Sequence, residues 1–246
     1  ATAPDVRWVS SDSSVATVNA NGLVAAVDAG SAAITAYGSS GASASCSVVV
    51  KKPVPDGAVD LGLSVYWATC NIGANAPEEY GDYYAWGETE TKEDYWWSTY
   101  KFELGTDSSG PFSKYVTNSS YGTVDNKTVL EPDDDVAHVK LGGDWRMPTD
   151  AEWTELRTKC TWTWMTEGGV YGSLVTSNTN GNSIFLPAAG YWNANRIDAG
   201  SNGNYWSSSL FTNHPRNAGY VRFNSGAVSG ASSYRCFGFS VRPVSE

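Results

Sequence analysis

The sequence predicts a mostly β protein whose C-terminal part is α+β, and three observations carry that expectation. Residues 1 to 50 alternate short apolar runs with turns of Gly, Asn, Asp and Ser. One helix is strongly marked, at Thr149–Lys159. Leu186 to Glu246 is a 61-residue stretch in which Asn, Ser and Gly supply 24 residues, interleaved with ten aromatics. That mixture suits turn-rich antiparallel strands. It also suits a contact surface, where rigid rings supply area and small polar residues supply adaptable hydrogen bonds.

In the N-terminal part, strands are expected at Val6–Val9, Val15–Val18, Leu23–Val27, Ala32–Tyr37 and Ala44–Val50, a small β-sandwich spanning residues 1 to 52. Residues 53 to 57, Pro-Val-Pro-Asp-Gly, form a linker without apolar periodicity. A second domain follows from 58 to 246. Val59–Ala68 supplies one or two strands. The aromatic and acidic segment from Pro77 to Trp97 is expected to be core rather than a sugar-stacking platform, since buried rings are common in loop-rich domains. Lys101 to Lys140 is assigned mostly to loops, with Glu131–Asp135 as solvated surface, because consecutive aspartates point in different directions and lack calcium-loop spacing.

The helix has a capping box, Thr149 with Glu152, and an apolar stripe of Trp153, Leu156 and Cys160. Thr161–Met165 then alternates as a strand. Within the last 61 residues, Tyr205–Ser209 and Gly238–Val244 read as fixed frame, and the polar blocks between them as presented loops.

Charge narrows the function classes. The chain carries 16 basic and 26 acidic side chains, a net charge of −10 and an isoelectric point near 4.6, which excludes nucleic acid and direct insertion into an anionic membrane as expectations. The distribution is uneven: residues 53 to 185 hold eight basic and 21 acidic groups, net −13, whereas residues 186 to 246 hold five Arg, no Lys and two acids, net +3. Arg is the cation favoured in interfaces. No run of 18 apolar residues is present. The start at Ala-Thr-Ala-Pro suggests that an export segment or longer N-terminal portion was removed. The four cysteines match no metal spacing, and Cys236, among loop residues, is expected to be the most exposed.

The segments Trp8–Val18 (W-V-S-S-D-S-S-V-A-T-V), Asn21–Val24 (N-G-L-V) and Ala29–Ala36 (A-G-S-A-A-I-T-A) resemble the bacterial immunoglobulin-like domain of surface proteins. That family has further strands before the Trp segment, so the resemblance implies a partial Ig-like sandwich serving as a stalk at the cell surface or outside the cell. In the second domain, Trp145–Trp153 (W-R-M-P-T-D-A-E-W), Ile184–Tyr191 (I-F-L-P-A-A-G-Y), Tyr205–Ser209 (Y-W-S-S-S) and Gly238–Val244 (G-F-S-V-R-P-V) resemble an exported bacterial family with the C-type lectin fold, with long loops and one or two helices.

This pairing looks like the variable proteins of diversity-generating retroelements, whose exposed C-terminal positions vary on a fixed frame. Carried over, the resemblance implies a ligand-binding surface of Asn193, Asn195, Arg196, Asp198, Asn202, Asn204, Phe211, Asn213, His214, Arg216, Tyr220, Arg222, Ser229, Ser233, Tyr234 and Phe237. It implies a protein ligand, with no catalytic residue, metal or cofactor. Two alternatives keep the same fold. A non-diversified adhesin would bind glycan, for which Glu131-Pro132-Asp133 is a near match to a calcium motif placed far upstream. An oxidase similar to the formylglycine-generating enzymes would require a reactive cysteine pair.

Overall fold

The computed structural model of the protein describes residues 6 to 105 and 110 to 246, so the opening Ala1–Pro4 and residues 106 to 109 of the predicted loop lie outside the described residues. The chain is mostly β, 39 % strand and 11 % helix. It divides into two compact units, residues 1 to 53 and 54 to 246.

The first unit contains β1 (Val6–Ser10), β2 (Ala16–Val18), β3 (Val24–Ala26), β4 (Gly30–Gly38) and β5 (Ser43–Val50). β4 lies between β1 and β5 in an antiparallel sheet, and β2 pairs with β3 as a hairpin. The Asn-Gly turn explains that hairpin. The Asn19 side chain accepts hydrogen bonds from the amides of Asn21 and Leu23, while Gly22 takes φ +79° under the Trp8 ring, where a Cβ would sit 2.8 Å from the indole. The core is small: Val15, Ala16 and Ala32, backed by Val48 and Val50.

The second unit contains β6 (Ala58–Val59), β7 (Tyr66–Ala68), α1 (Val136–Leu141), α2 (Asp150–Lys159), β8 (Cys160–Glu167), β9 (Val170–Ser177), β10 (Ser183–Pro187), β11 (Tyr191–Asn193), β12 (Asn195–Ile197), β13 (Gly203–Leu210), β14 (Asn217–Phe223), β15 (Val228–Tyr234) and β16 (Val244–Ser245). These form antiparallel sheets ordered β6-β7-β16, β8-β9-β10 and β13-β14-β15, with β11-β12 as a hairpin. α2 has the predicted capping box and buries Trp153 and Leu156. Those side chains join Trp67, Tyr205, Val221, Phe223 and Val244 in one core; a second core gathers Tyr84, Trp86, Tyr95, Trp97, Phe112, Trp206 and Phe239. The aromatic segment is therefore core, as the sequence suggested, except that Trp96 stays 43 % exposed between two buried neighbours.

The described residues between 101 and 140 are mostly loop, as expected, and the short helix α1 ends the stretch, capped by Asp135, which accepts from the amides of Ala137 and His138. Three expectations are corrected. Asp134 and Asp135 are buried rather than solvated. Asp134 receives Lys101 at 2.7 Å, Lys114 at 2.5 Å and the Tyr115 hydroxyl at 2.7 Å, and such pairing is what permits a carboxylate to leave water. Cys236 is fully buried, and Cys46 is the exposed thiol. Gly238–Val244 is buried frame without being a regular strand: isolated bridges tie Phe239 to Tyr84 and Ser240 to Tyr205, and both the polar and the apolar side chains face inward.

Two of the five C-terminal arginines are also buried. Arg242 donates from Nε to Asn71 Oδ1 at 2.9 Å, from Nη1 to the carbonyls of Ala68 at 2.9 Å and Thr69 at 2.6 Å, and from Nη2 to the Phe185 carbonyl at 2.9 Å. Arg235 is held differently. Its Nη1 reaches the carbonyls of Lys114 and Tyr115 at 3.3 Å, its guanidinium lies 4.2 Å from the Phe112 ring centroid, and Nε and Nη2 have no hydrogen-bond partner among the described residues.

The contrast predicts that Arg242→Met costs about 3 kcal/mol or more, because four acceptors lose their donor, whereas Arg235→Met costs about 1 kcal/mol or less. Urea unfolding of the two variants checks the order. Asp134 supplies a pH test. Burial opposes its ionisation, but the hydrogen bonds from Lys101, Lys114 and Tyr115 outweigh burial and hold the carboxyl below its ordinary value. A carboxyl lowered in the folded state contributes stability that is present above its unfolded value and lost as pH falls through the folded one. The stability gap between wild type and Asp134→Asn, about 1–3 kcal/mol at pH 6, should shrink below about pH 4; a gap unchanged down to pH 2 would sink the assignment.

Candidate functional site

The sheet β13-β14-β15 has two faces, because successive strand side chains alternate. Tyr205, Val221, Phe223 and Val228 point to the core under α2. On the opposite face Asn204 pairs with Arg222 and Arg222 with Ser229, Trp206 with Tyr220 and Tyr220 with Ala231, and Ala218 with Ser233. Asn204, Tyr220, Arg222, Ser229 and Ser233, five of the residues singled out from sequence, therefore share one face. Trp206 stacks on Phe239 at 4.1 Å, and Tyr220 leans on Phe239 at 4.9 Å.

Above these rings opens a socket of about 170 Å³, lined by Tyr191, Asp198, Asn204, Tyr220, Arg222, Ser233, Phe237 and Phe239. Asn204 is buried rather than presented; its amide donates to the Gly190 carbonyl at 3.2 Å, so it belongs to the socket wall. Arg222 is exposed and steered by Asn202, whose Oδ1 accepts from Nε at 3.4 Å and Nη2 at 3.3 Å. Asp198, at φ 59°, opens the turn whose carbonyl accepts the Ser201 and Asn202 amides. Burial raises the Tyr220 hydroxyl above its ordinary value, with Arg222 opposing, so it is a neutral donor and acceptor here.

Beside the socket, Phe237 sits among Trp96 at 6.2 Å, Tyr191 at 5.9 Å and Tyr234 at 5.6 Å. Trp96 and Tyr234 keep 43 % and 42 % of their surface exposed, so this cluster is both packed and presented. The turn carrying it is tied down on both sides: the Arg235 amide donates to the Arg216 carbonyl, and the Trp86 amide donates to the Arg235 carbonyl. Asn193, Asn195 and Arg196 lie at the β11-β12 hairpin, turned at Ala194 with φ 54°. Trp192 pairs with Gly238 in both directions, which sets that hairpin alongside the aromatic turn.

The remaining residues stand apart from the socket. Asn213 and His214 are exposed on the loop between β13 and β14, with the His214 ring 6.0 Å from Phe211. Phe211 lines a different hollow with Trp153, Arg157 and Tyr220. Arg216 is half-buried, its guanidinium 5.5 Å over Tyr121. Sequence reasoning missed Trp96, Tyr191 and Phe239 as site residues. The signal for Trp96 was its place in Tyr95-Trp96-Trp97, where three adjacent rings cannot all turn inward. Among the described residues no group of three or more His, Cys, Asp or Glu is placed to hold a metal ion.

Residues 1 to 48 match the family model of the bacterial Ig-like domain (group 2). That region is thus similar to a known surface-protein module, and the match ends before the unit that carries the socket. No curated protein and no solved structure matches the chain. No helix among the described residues is long and apolar enough to cross a membrane.

The geometry ranks the truncations. Arg222→Ala and Tyr234→Ala should shift stability by less than about 1 kcal/mol, Phe237→Ala by about 2, since it lies among three rings, and Trp206→Ala by about 3–5. Chemical denaturation of the four variants checks the series; Arg222 and Tyr234 destabilising as strongly as Trp206 would show the face to be core.

Proposed function

We propose that the protein is a surface-displayed receptor or adhesin in which residues 1 to 52 are an Ig-like stalk and residues 58 to 246 a C-type lectin-like domain that binds a protein ligand through residues 186 to 246. The Ig-like match is compatible with a surface protein. One observation carries the binding reading: five of the residues expected to make contact share a sheet face at paired register, and four of them, Asn204, Tyr220, Arg222 and Ser233, line the socket. At about 170 Å³ that socket is below the roughly 300–1,000 Å³ of small-molecule sites, yet a cavity of about 150 Å³ is enough for one benzene ring. It is the size of a receptacle for a single anchoring side chain, as at the centre of protein interfaces. The exposed rings of Trp96 and Tyr234 extend the contact beyond it.

Two of the four cysteines are poorly suited to the oxidase alternative: burial pushes the Cys160 thiol up to about 11 and raises Cys236 as well, which disfavours a thiolate at either.

The retroelement resemblance makes the positions around the socket the variable ones. Sequencing the codons for residues 186 to 246 across a native population should find substitutions concentrated at Asn193, Asn195, Arg196, Asp198, Asn202, Tyr220, Arg222, Ser229, Ser233, Tyr234 and Phe237, with Trp206 and Arg242 unchanged. Uniform codons throughout would remove diversification and leave a fixed adhesin, whose ligand class a glycan array with and without calcium would then decide.

A further inference from the structure

Another cavity of the second unit belongs to a different part of the surface. It is open, about 520 Å³, and walled by the segment Ala68–Ala74 that follows β7, by Asp82, Tyr84, Glu90 and Trp145, by Lys140 and Leu141 at the end of α1, and by Asp56. Of the last 61 residues only Pro243 lines it. Its volume falls within the range of small-molecule sites, roughly 300–1,000 Å³.

The walls combine two chemistries. Ile72, Leu141 and Pro243 are apolar, and Tyr84 and Trp145 add rings. The rim carries Asp56, Asp82 and Glu90 against one cation, Lys140, so three negative charges less one positive leave −2. The carboxylate of Asp82 is held in place. Tyr84 donates to its Oδ2 at 3.1 Å, and it lies against Gly73, where a Cβ would come within 2.3 Å of Oδ2. The protein already seats one ammonium on this rim: Lys140 Nζ reaches both oxygens of Glu90, at 3.0 and 3.1 Å. That pair is exposed and hence weak, and it leaves Asp56 and Asp82 as the excess charge.

We propose that this cavity binds an organic cation carrying an apolar stem, its guanidinium or ammonium held by Asp82 and Asp56 and its stem laid against Trp145 and Leu141. Net charge of −2 disfavours anions. Carboxylates beside the Trp145 side chain favour a cation over a neutral polyol, because a carboxylate and an indole both attract positive charge. The site shares no lining residue with the socket on the sheet face.

Calorimetric titration of the full chain with arginine amide tests it, with citrulline amide as the neutral isostere. Arginine amide should bind saturably and at least about tenfold more tightly than citrulline amide, as a charge-assisted contact requires. The double substitution Asp56→Asn with Asp82→Asn exchanges two exposed carboxylates for isosteric amides and should weaken arginine amide about tenfold without moving the melting temperature. Arg222→Ala, on the sheet face, should leave the titration unchanged. Equal binding of the two amides, an undiminished affinity in the double variant, or no saturable heat in the wild type would each overturn the assignment.

Discussion

The second unit depends on one buried cation. Arg242 has no exposed surface, and its four hydrogen bonds tie the C-terminal segment to the end of β7, to Asn71 and to β10. The network continues from Asn71, whose amide donates to the Tyr80 carbonyl and the Tyr205 hydroxyl, while that hydroxyl donates to the Pro187 carbonyl. Segments far apart in sequence meet at this point. A lysine could not replace it, because its compact ammonium lacks the planar fork that reaches carbonyls on separate strands. All the acceptors are neutral, so the charge is delocalised over carbonyl dipoles rather than cancelled by an acid. Burial accordingly holds the Arg242 pKa below its ordinary value.

Tryptophans complete what Arg242 begins. The Trp86 indole donates to the Ser207 carbonyl at 2.8 Å, Trp206 to Tyr84 at 2.8 Å and Trp153 to Trp206 at 3.1 Å. Each ring buries apolar surface and also donates to a backbone carbonyl, two of them where the register of β13 shifts and the third at Tyr84. Loop-rich structure between residues 69 and 135 is sustained in this way, with long polar connections fixed by their aromatic members rather than by ladders. The same pins make the sheet face permissive. Trp206 and Phe239 form its floor, and the side chains above them, Arg222, Ser229 and Ser233, hold no strand or helix in place.

Much of the frame was legible because local rules wrote it. The capping box of α2, the Asn-Gly turn of the first unit and the alternation of Thr161–Met165 are each decided by neighbouring residues. What escaped depended on partners distant in sequence. Asp134 reads as a solvated acid until Lys101, Lys114 and Tyr115 close on it, and Cys236 reads as a loop thiol until Arg235 and the aromatic core surround it. Asn204 shows the same limit inside the site: its place in a polar block suggested exposure, but cross-strand pairing with Arg222 and a hydrogen bond to Gly190 turn it into wall. Trp96 is the converse, a ring in a buried segment that faces out.

Burial also changes what charge means on this surface. By sequence the last 61 residues carry +3, but Arg235 and Arg242 are enclosed and Glu246 is paired with Arg146. The face is left with Arg196, Arg216 and Arg222 against Asp198, and Arg196 and Arg216 lie over the rings of Tyr80 and Tyr121. What the proposed binding role would draw on there is rings, a ring-sized socket and amide and hydroxyl hydrogen bonds, with three arginines against one aspartate. At the cavity beyond β7 the sign is opposite, with Asp56, Asp82 and Glu90 against Lys140 among its lining residues. The two places share no lining residue but are joined through the frame, because Ala68, Thr69 and Asn71 of the cavity wall hold Arg242, and Tyr84 of the same wall bridges Phe239 and accepts from Trp206.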